Sequence, residues 1–336
     1  MRCRSCCMFV LALLSGPVAV FSADEEVPET ASIRPAIERA IPLLEQGAFG
    51  SSRQRKCFTC HNQALPVMVL SKAQKDGFSV DSENLEKQVQ HTVAHLNRGL
   101  ANYREGRGQG GQVITAGYAL WSLLEAGLES SETTAAVSHY LLEYQKDTDH
   151  WSHRGSRPPS SGSDFTTTYV ALHSLVGFGT AEQQSRIDAR IRTISPWILK
   201  EIPQDTEDHV FRLRSLPYID AEKPFIEKAI SELIDLQRSD GGWAQTSDLQ
   251  SDAYATASVL LALIQVSERT LQDPVISRGV DYLLKQQTKE GSWHVVTRAK
   301  PFQTYYESGF PYGADQFISI TASSWATWVL LEVLSH

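Results

Sequence analysis

Three glutamine–tryptophan pairs at one fixed spacing constrain the fold of this chain more than any other feature. Gln145 precedes Trp151, Gln237 precedes Trp243 and Gln287 precedes Trp293, each by six positions. Apolar residues at helical spacing lead into each glutamine (Tyr140-Leu141-Leu142, Leu233-Ile234-Asp235-Leu236, Tyr282-Leu283-Leu284), a short turn follows, and a second helical pattern begins after the tryptophan. The second helices read as Asp164–Leu172, Asp252–Leu261 and Ser319–Leu334, with Asp164 and Asp252 as N-caps. Trp151 to Trp243 is 92 residues, twice 46, and Trp243 to Trp293 is 50. One unit lacking its tryptophan is therefore expected between the first two: a helix Gln183–Lys200, a turn Ile202–Asp205 and a helix from Thr206 to about Leu216. Upstream, His91–Tyr103 pairs with Val113–Ala126 and Ile33–Leu44 with Leu65–Lys75. The total is six helical hairpins and no strand pattern. Stacked helical pairs of this length bury their apolar faces against neighbouring pairs, and six of them close into a ring.

A second motif points to chemistry. Cys57-Phe58-Thr59-Cys60-His61 is a C-x-x-C-H run, the arrangement in which two thiols attach one c-type haem and the histidine ligates its iron. The chain has five cysteines, and Cys3, Cys6 and Cys7 lie in the first residues. That stretch reads as a secretory signal peptide over residues 1–22: basic Arg2 and Arg4, an apolar run Met8–Phe21, and a cleavage site at Val20-Phe21-Ser22. An acidic leader, 23–32, is expected to be disordered. The exported chain is then expected to be soluble and periplasmic, with no transmembrane segment after cleavage. Its remaining thiols, Cys57 and Cys60, are too few for a four-cysteine zinc site. Two other readings of the pair stay open, a thioredoxin-like dithiol and a simple disulfide loop. Neither requires His61.

The turns Tyr282–Trp293 and Leu236–Trp243 resemble the QW repeats of the squalene–hopene cyclase and prenyltransferase superfamily, with three good matches and three degenerate units over residues 33–336. The resemblance implies an all-α fold, the α/α6 toroid of six helical hairpins. In such a ring the helix before each turn is outer and the helix after it inner, so the turns share one end. Cys57–His61 occupies the corresponding turn of the first hairpin, which puts the expected haem c at that rim. The combination with the C-x-x-C-H run is similar to a group of exported bacterial squalene-cyclase-like proteins.

Candidates for the sixth iron ligand are His294, favoured because ring closure brings the sixth turn beside the first, and His153, with His150, His91 and His95 behind them. Met68 is expected to point away from a haem ligated by His61. Arg157, Arg298 and Lys300 are candidates for pairing with propionates. Asp164, Asp252 and Asp315, with Asp208, recur near inner-helix starts beside Phe165, Tyr169, Tyr254, Tyr312 and Phe317, where an acid and aromatic walls serve carbocation chemistry. Helix capping is the competing reading of all four. The Asp-x-Asp-Asp cluster of hopene-type cyclases is replaced here by Ser251-Asp252-Ala253-Tyr254. Net charge is −8, and losing Arg2 and Arg4 leaves 29 cations against 39 anions, so −10 after cleavage. No basic stripe offers a surface for nucleic acid. The reading is a monohaem redox protein beside a cavity for an isoprenoid or quinone-like molecule, acting with an unidentified redox partner. The alternative is a haem-independent terpenoid cyclase-like enzyme or lipid-binding module with a structural C-x-x-C.

Overall fold

The computed structural model describes residues 30–152, 157–301 and 304–335. The expected signal peptide, the expected leader up to residue 29 and His153 lie outside the described residues. Among the described residues thirteen α-helices run α1 Thr30–Gln54, α2 Leu65–Lys75, α3 Ser82–Arg98, α4 Leu100–Arg104, α5 Gln112–Glu125, α6 Glu132–Glu143, α7 Asp164–Phe178, α8 Gln184–Lys200, α9 Thr206–Ser215, α10 Lys223–Asp235, α11 Ala253–Ser267, α12 Pro274–Gln286 and α13 Gln316–Ser335. Among the described residues the only β-type pairing is an isolated bridge between Arg157 and Ser161. The expected all-α toroid is therefore what the chain forms. Residues 30–32, placed in the leader by the sequence, are the first turn of α1. Asp164 is not an N-cap, because Ser163 holds that position and accepts from the Thr166 amide. Asp252 does cap α11, accepting from the Ala255 amide at 2.9 Å.

Each inner helix packs against its two inner neighbours in the order α2, α5, α7, α9, α11, α13 and back to α2, which closes the ring. The inner helices are buried on nearly every side, as α11 and α13 show. By length and composition α13 is apolar enough to cross a membrane, yet 83% of that window is buried, so it is a core helix of the ring.

The Gln-to-Trp turns join one hairpin to the next through hydrogen bonds that no single helix supplies. Trp151, Trp243 and Trp293 are fully buried, and each indole donates to the carbonyl ten residues earlier: Leu141 at 3.1 Å, Leu233 at 2.7 Å and Leu283 at 2.7 Å. Those carbonyls lie in the last turns of the outer helices, where backbone partners run short: Leu233 O and Leu283 O each accept one capping amide, from Leu236 at 3.3 Å and Gln287 at 3.1 Å, besides the indole. Gln237 Nε2 donates to Gly241 O at 3.0 Å and to Val275 O of α12 at 2.9 Å. Gln287 Nε2 repeats this with Gly291 O at 3.0 Å and Ala36 O of α1 at 2.8 Å, so the sixth hairpin is fastened to the first. Arg278 and Arg39 accompany them, donating to the Oε1 atoms of Gln237 and Gln287 at 2.6 Å. Gly291 has φ +105°, and a Cβ there would stand 2.4 Å from Arg39 O, so this turn requires glycine.

The axis of the ring is filled. Trp121 of α5, Tyr169 of α7, Arg214 of α9 and Trp325 of α13 come from helices that are not all neighbours, so they meet across the centre. Trp121 lies 5.3 Å from Tyr169 and 5.9 Å from Trp325, with the Arg214 guanidinium 5.2 Å from the Trp121 ring and 5.1 Å from that of Tyr169. An aromatic cage of this kind compensates a buried cation.

Candidate functional site

With its axis packed, the ring keeps a cavity at the end where the turns gather. The cavity has a volume of about 860 Å³, within the range of small-molecule sites. Cys57, Cys60 and His61 all line it. The C-x-x-C-H run lies between α1 and α2, in the wall of this cavity.

Local hydrogen bonds shape this loop. Thr59 caps the turn that follows, its hydroxyl accepting from the Asn62 amide at 3.3 Å, and Gln63 Oε1 returns to accept from the Thr59 amide at 3.0 Å. Residues Cys60–Ala64 form one π-helical turn before α2 begins. Wide turns of this kind re-aim side chains at the start of a helix. The buried Asn62 amide anchors the turn to α1 through Gly47 O at 3.2 Å.

His61 packs edge-on against Phe317, with ring centroids 4.9 Å apart. Its Nε2 is buried and has no hydrogen-bond partner among the described residues. Burial, and next the Arg157 charge, push its pKa down to about 3, so the ring is neutral and retains a lone pair. The Cys60 thiol is pushed up to about 12 by burial, against the pull of Arg157. Cys57 and Cys60 are both free thiols. Among the described residues no cluster of three or more His, Cys, Asp or Glu side chains is arranged to hold a bare metal ion. A porphyrin brings its own four nitrogens and asks the protein for one histidine, so the free thiols and the unpartnered His61 nitrogen fit a c-type haem.

The remaining candidates fall in different places. His294 is not in the cavity wall: its Nε2 meets Asp315 Oδ2 at 2.9 Å, and its ring stacks on Tyr312. His150 stacks on Trp197 and lies 3.5 Å from Asp164. Met68 is buried in the α2 core. His95 does line the cavity, as do Arg157 and Lys300, whereas Arg298 turns to Gln245 at 2.7 Å. None of the four aspartates lines it. Asp252 is occupied by its capping bond and by Gln245 Nε2 at 2.8 Å, Asp315 by His294 and the Thr297 amide, and Asp208 by Ser163 Oγ at 2.6 Å. Capping and loop anchoring account for these three.

The carboxyl that sequence reasoning missed is Glu207, in the first turn of α9. It is 3% exposed and faces into the ring, where Thr166 Oγ donates at 3.0 Å and Tyr254 OH approaches both carboxyl oxygens at 3.2 Å. Burial pushes its pKa up to about 8, with the Asp205 charge adding to the rise. Tyr254 forms part of the cavity wall, so a protonated carboxyl stands one phenol away from the cavity.

The fold has clear relatives. Type II terpene cyclase MstE from Scytonema superposes with a TM-score of 0.59 at 14% identity, covering 92% of this chain and 99% of that one. The same cyclase has been solved with geranylgeranyl dihydroxybenzoate as substrate. An ent-copalyl diphosphate synthase from Streptomyces platensis aligns with a TM-score of 0.51 at 18% identity, over 80% of this chain and 50% of that one. The chain is thus an α/α toroid with the terpene-cyclase fold.

In sequence, residues 206–314 match the squalene-hopene cyclase C-terminal domain family. A probable squalene–hopene cyclase of Sinorhizobium fredii is 33% identical over 104 residues, which are 28% of this chain and 15% of that protein. A squalene–hopene cyclase of Bradyrhizobium diazoefficiens is 33% identical over 101 residues, 14% of its length. The similarity therefore spans a small part of those relatives.

Proposed function

We propose that this chain is an exported monohaem c-type protein whose toroid presents the haem to an amphiphilic ligand. The observation that carries this is the presence of Cys57, Cys60 and His61 on one wall of the same cavity, with His61 Nε2 buried and unpartnered. Cys57 and Cys60 would hold the porphyrin through thioethers and His61 would ligate the iron, giving the protein one-electron or redox chemistry beside the cavity. Phe317 orients the His61 ring, and the Thr59–Gln63 hydrogen bonds keep the two thiols on the same wall. Haem attachment of this type belongs to an exported, periplasmic protein, which agrees with the signal-like first residues. Protein made in cells with the haem-attachment machinery is expected to give a c-type pyridine haemochrome with one haem per chain, lost in Cys57→Ser with Cys60→Ser. Colourless protein from such cells overturns the reading.

A second reading is the one the comparisons favour: a haem-independent terpenoid cyclase-like enzyme or isoprenoid-binding module in which the two cysteines are structural. Glu207 supports it, because a carboxyl held protonated beside Tyr254 is an acid within reach of the cavity. Isoprenoid turnover or binding that survives the double cysteine substitution and fails in Glu207→Gln decides for this reading.

A further inference from the structure

Charge in the cavity wall runs opposite to charge in the chain. The whole protein is −8, yet no aspartate or glutamate stands among the cavity's described lining residues, while Arg157 and Lys300 do. Arg157 acts electrostatically on both Cys60 and His61, so its charge is felt beside the C-x-x-C-H run.

His95 adds a polar group of a different kind. It is 8% exposed and lines the cavity. Its Nδ1 accepts from the Phe58 amide at 3.3 Å and faces an Arg98 guanidinium nitrogen at 3.3 Å. Both neighbours are donors, so the hydrogen-bond network assigns the ring proton to Nε2. That Nε2 is buried with no partner among the described residues. A buried N–H lacking an acceptor is costly, and an oxygen-bearing ligand in the cavity removes the cost. The same tautomer argues against His95 as an iron ligand, since its lone pair is already used. Phe58, Phe317, Ile318 and Tyr254 add apolar surface to the same lining, Phe58 beside His95 with ring centroids 5.9 Å apart.

We infer that the cavity is built for an amphiphile with a carboxylate head, held by Arg157, Lys300 and the His95 Nε2–H, in preference to a neutral quinone or alcohol. This rests on the cavity assigned above and is independent of whether haem is attached. One carboxylate chemistry has two possible sources, the propionates of a porphyrin and the head of a free isoprenoid acid. The test therefore uses two matched pairs of probes on protein made without haem attachment: farnesoic acid against farnesol, and iron protoporphyrin IX against its dimethyl ester, followed by quenching of tryptophan fluorescence.

The expected result is that at least one acid binds tighter than its neutral partner by about tenfold, the size of one charge-assisted contact at about 1.4 kcal/mol. Arg157→Gln with Lys300→Gln should abolish that preference while the neutral probe binds as before. A preference confined to the porphyrin pair assigns the head to propionates, and one in the farnesyl pair assigns it to a free acid. Equal affinity within both pairs, or a preference that survives the double substitution, overturns the inference. Failure of the haem reading looks different, since it shows as colourless protein from haem-attaching cells whatever the probes do.

Discussion

Replacing Glu207 with glutamine keeps the length and hydrogen-bonding reach of the side chain and removes its titratable proton. The carboxyl is raised from the ordinary 4.5 to about 8 in the folded ring, chiefly by burial. Below pH 4.5 the folded and unfolded chains both hold the proton, and the stability associated with it is fully present. Between about 4.5 and about 8 the unfolded chain releases the proton while the folded chain keeps it, so stability falls as pH rises. The slope for one group is about 1.4 kcal/mol per pH unit, which over this interval accumulates to roughly 5 kcal/mol. Above about pH 8 the folded carboxyl ionises as well and the loss levels off.

Glutamine at this position does not titrate. Urea unfolding of parent and variant from pH 5 to pH 8.5 is therefore expected to show their stability difference moving steadily in the variant's favour, by about 1.4 kcal/mol per unit until it flattens near pH 8. Groups common to both proteins cancel in that difference. Infrared spectra should show a protonated carboxyl band at neutral pH in the parent that is absent from the variant. A stability difference that is flat across the range, with no such band, refutes the claim that Glu207 is an uncharged acid inside the ring.

Three further outcomes follow from the turns. Gln287→Ala leaves Gly291 O and Ala36 O without their side-chain donor, and is expected to cost about 1–3 kcal/mol in urea unfolding, with faster amide exchange where α1 meets α12. Gly291→Ala adds a left-handed backbone penalty to a Cβ 2.4 Å from Arg39 O, so it should destabilise more than the same change at Gly110, where a Cβ meets nothing within 4 Å. Trp243→Phe retains most of the buried ring but leaves Leu233 O with only the longer Leu236 amide bond at 3.3 Å, with an expected loss of about 0.5–1.5 kcal/mol; circular dichroism melting checks that the other hairpins stay formed.

What the sequence disclosed and what it hid have physical reasons. The glutamine, glycine and tryptophan of a turn satisfy one another's hydrogen bonds within a short stretch, so their spacing alone identifies the hairpin. Even the fourth hairpin, lacking its tryptophan, shows through helical periodicity: Gln183–Lys200 was expected and α8 is Gln184–Lys200. The end of α1 was hidden. The sequence pattern gives a first helix of Ile33–Leu44, yet α1 runs through Gly47 and Gly50 to Gln54; position 50 is pressed against Ser308 O, where a Cβ would come within 1.9 Å, so glycine there serves a close approach inside the helix. That contact belongs to a loop some 250 residues further along the chain, beyond the reach of local pattern.

Glu207 was hidden for a related reason. Asp205-Thr206-Glu207-Asp208 reads as an acidic helix start, and only ring closure decides which carboxyl turns inward. The shorter aspartates bend back to backbone groups, Asp205 capping the Asp208 amide at 3.0 Å and Asp208 taking the Gln204 amide at 2.9 Å. The longer glutamate is left to reach across to α7 and α11. The position of the cavity has the same origin. Four inner helices fill the axis with Trp121, Tyr169, Arg214 and Trp325, so open space survives at the end where turns of different lengths meet. The segment after Trp293 is long enough to cross that end and supply Lys300, Thr304 and Tyr305, and the first turn supplies Cys57, Cys60 and His61. The first and last hairpins thus supply two sides of the site, with His95, Arg157 and Tyr254 from the others completing it, and the Gln287-to-Ala36 clasp holds those two sides together as it closes the ring.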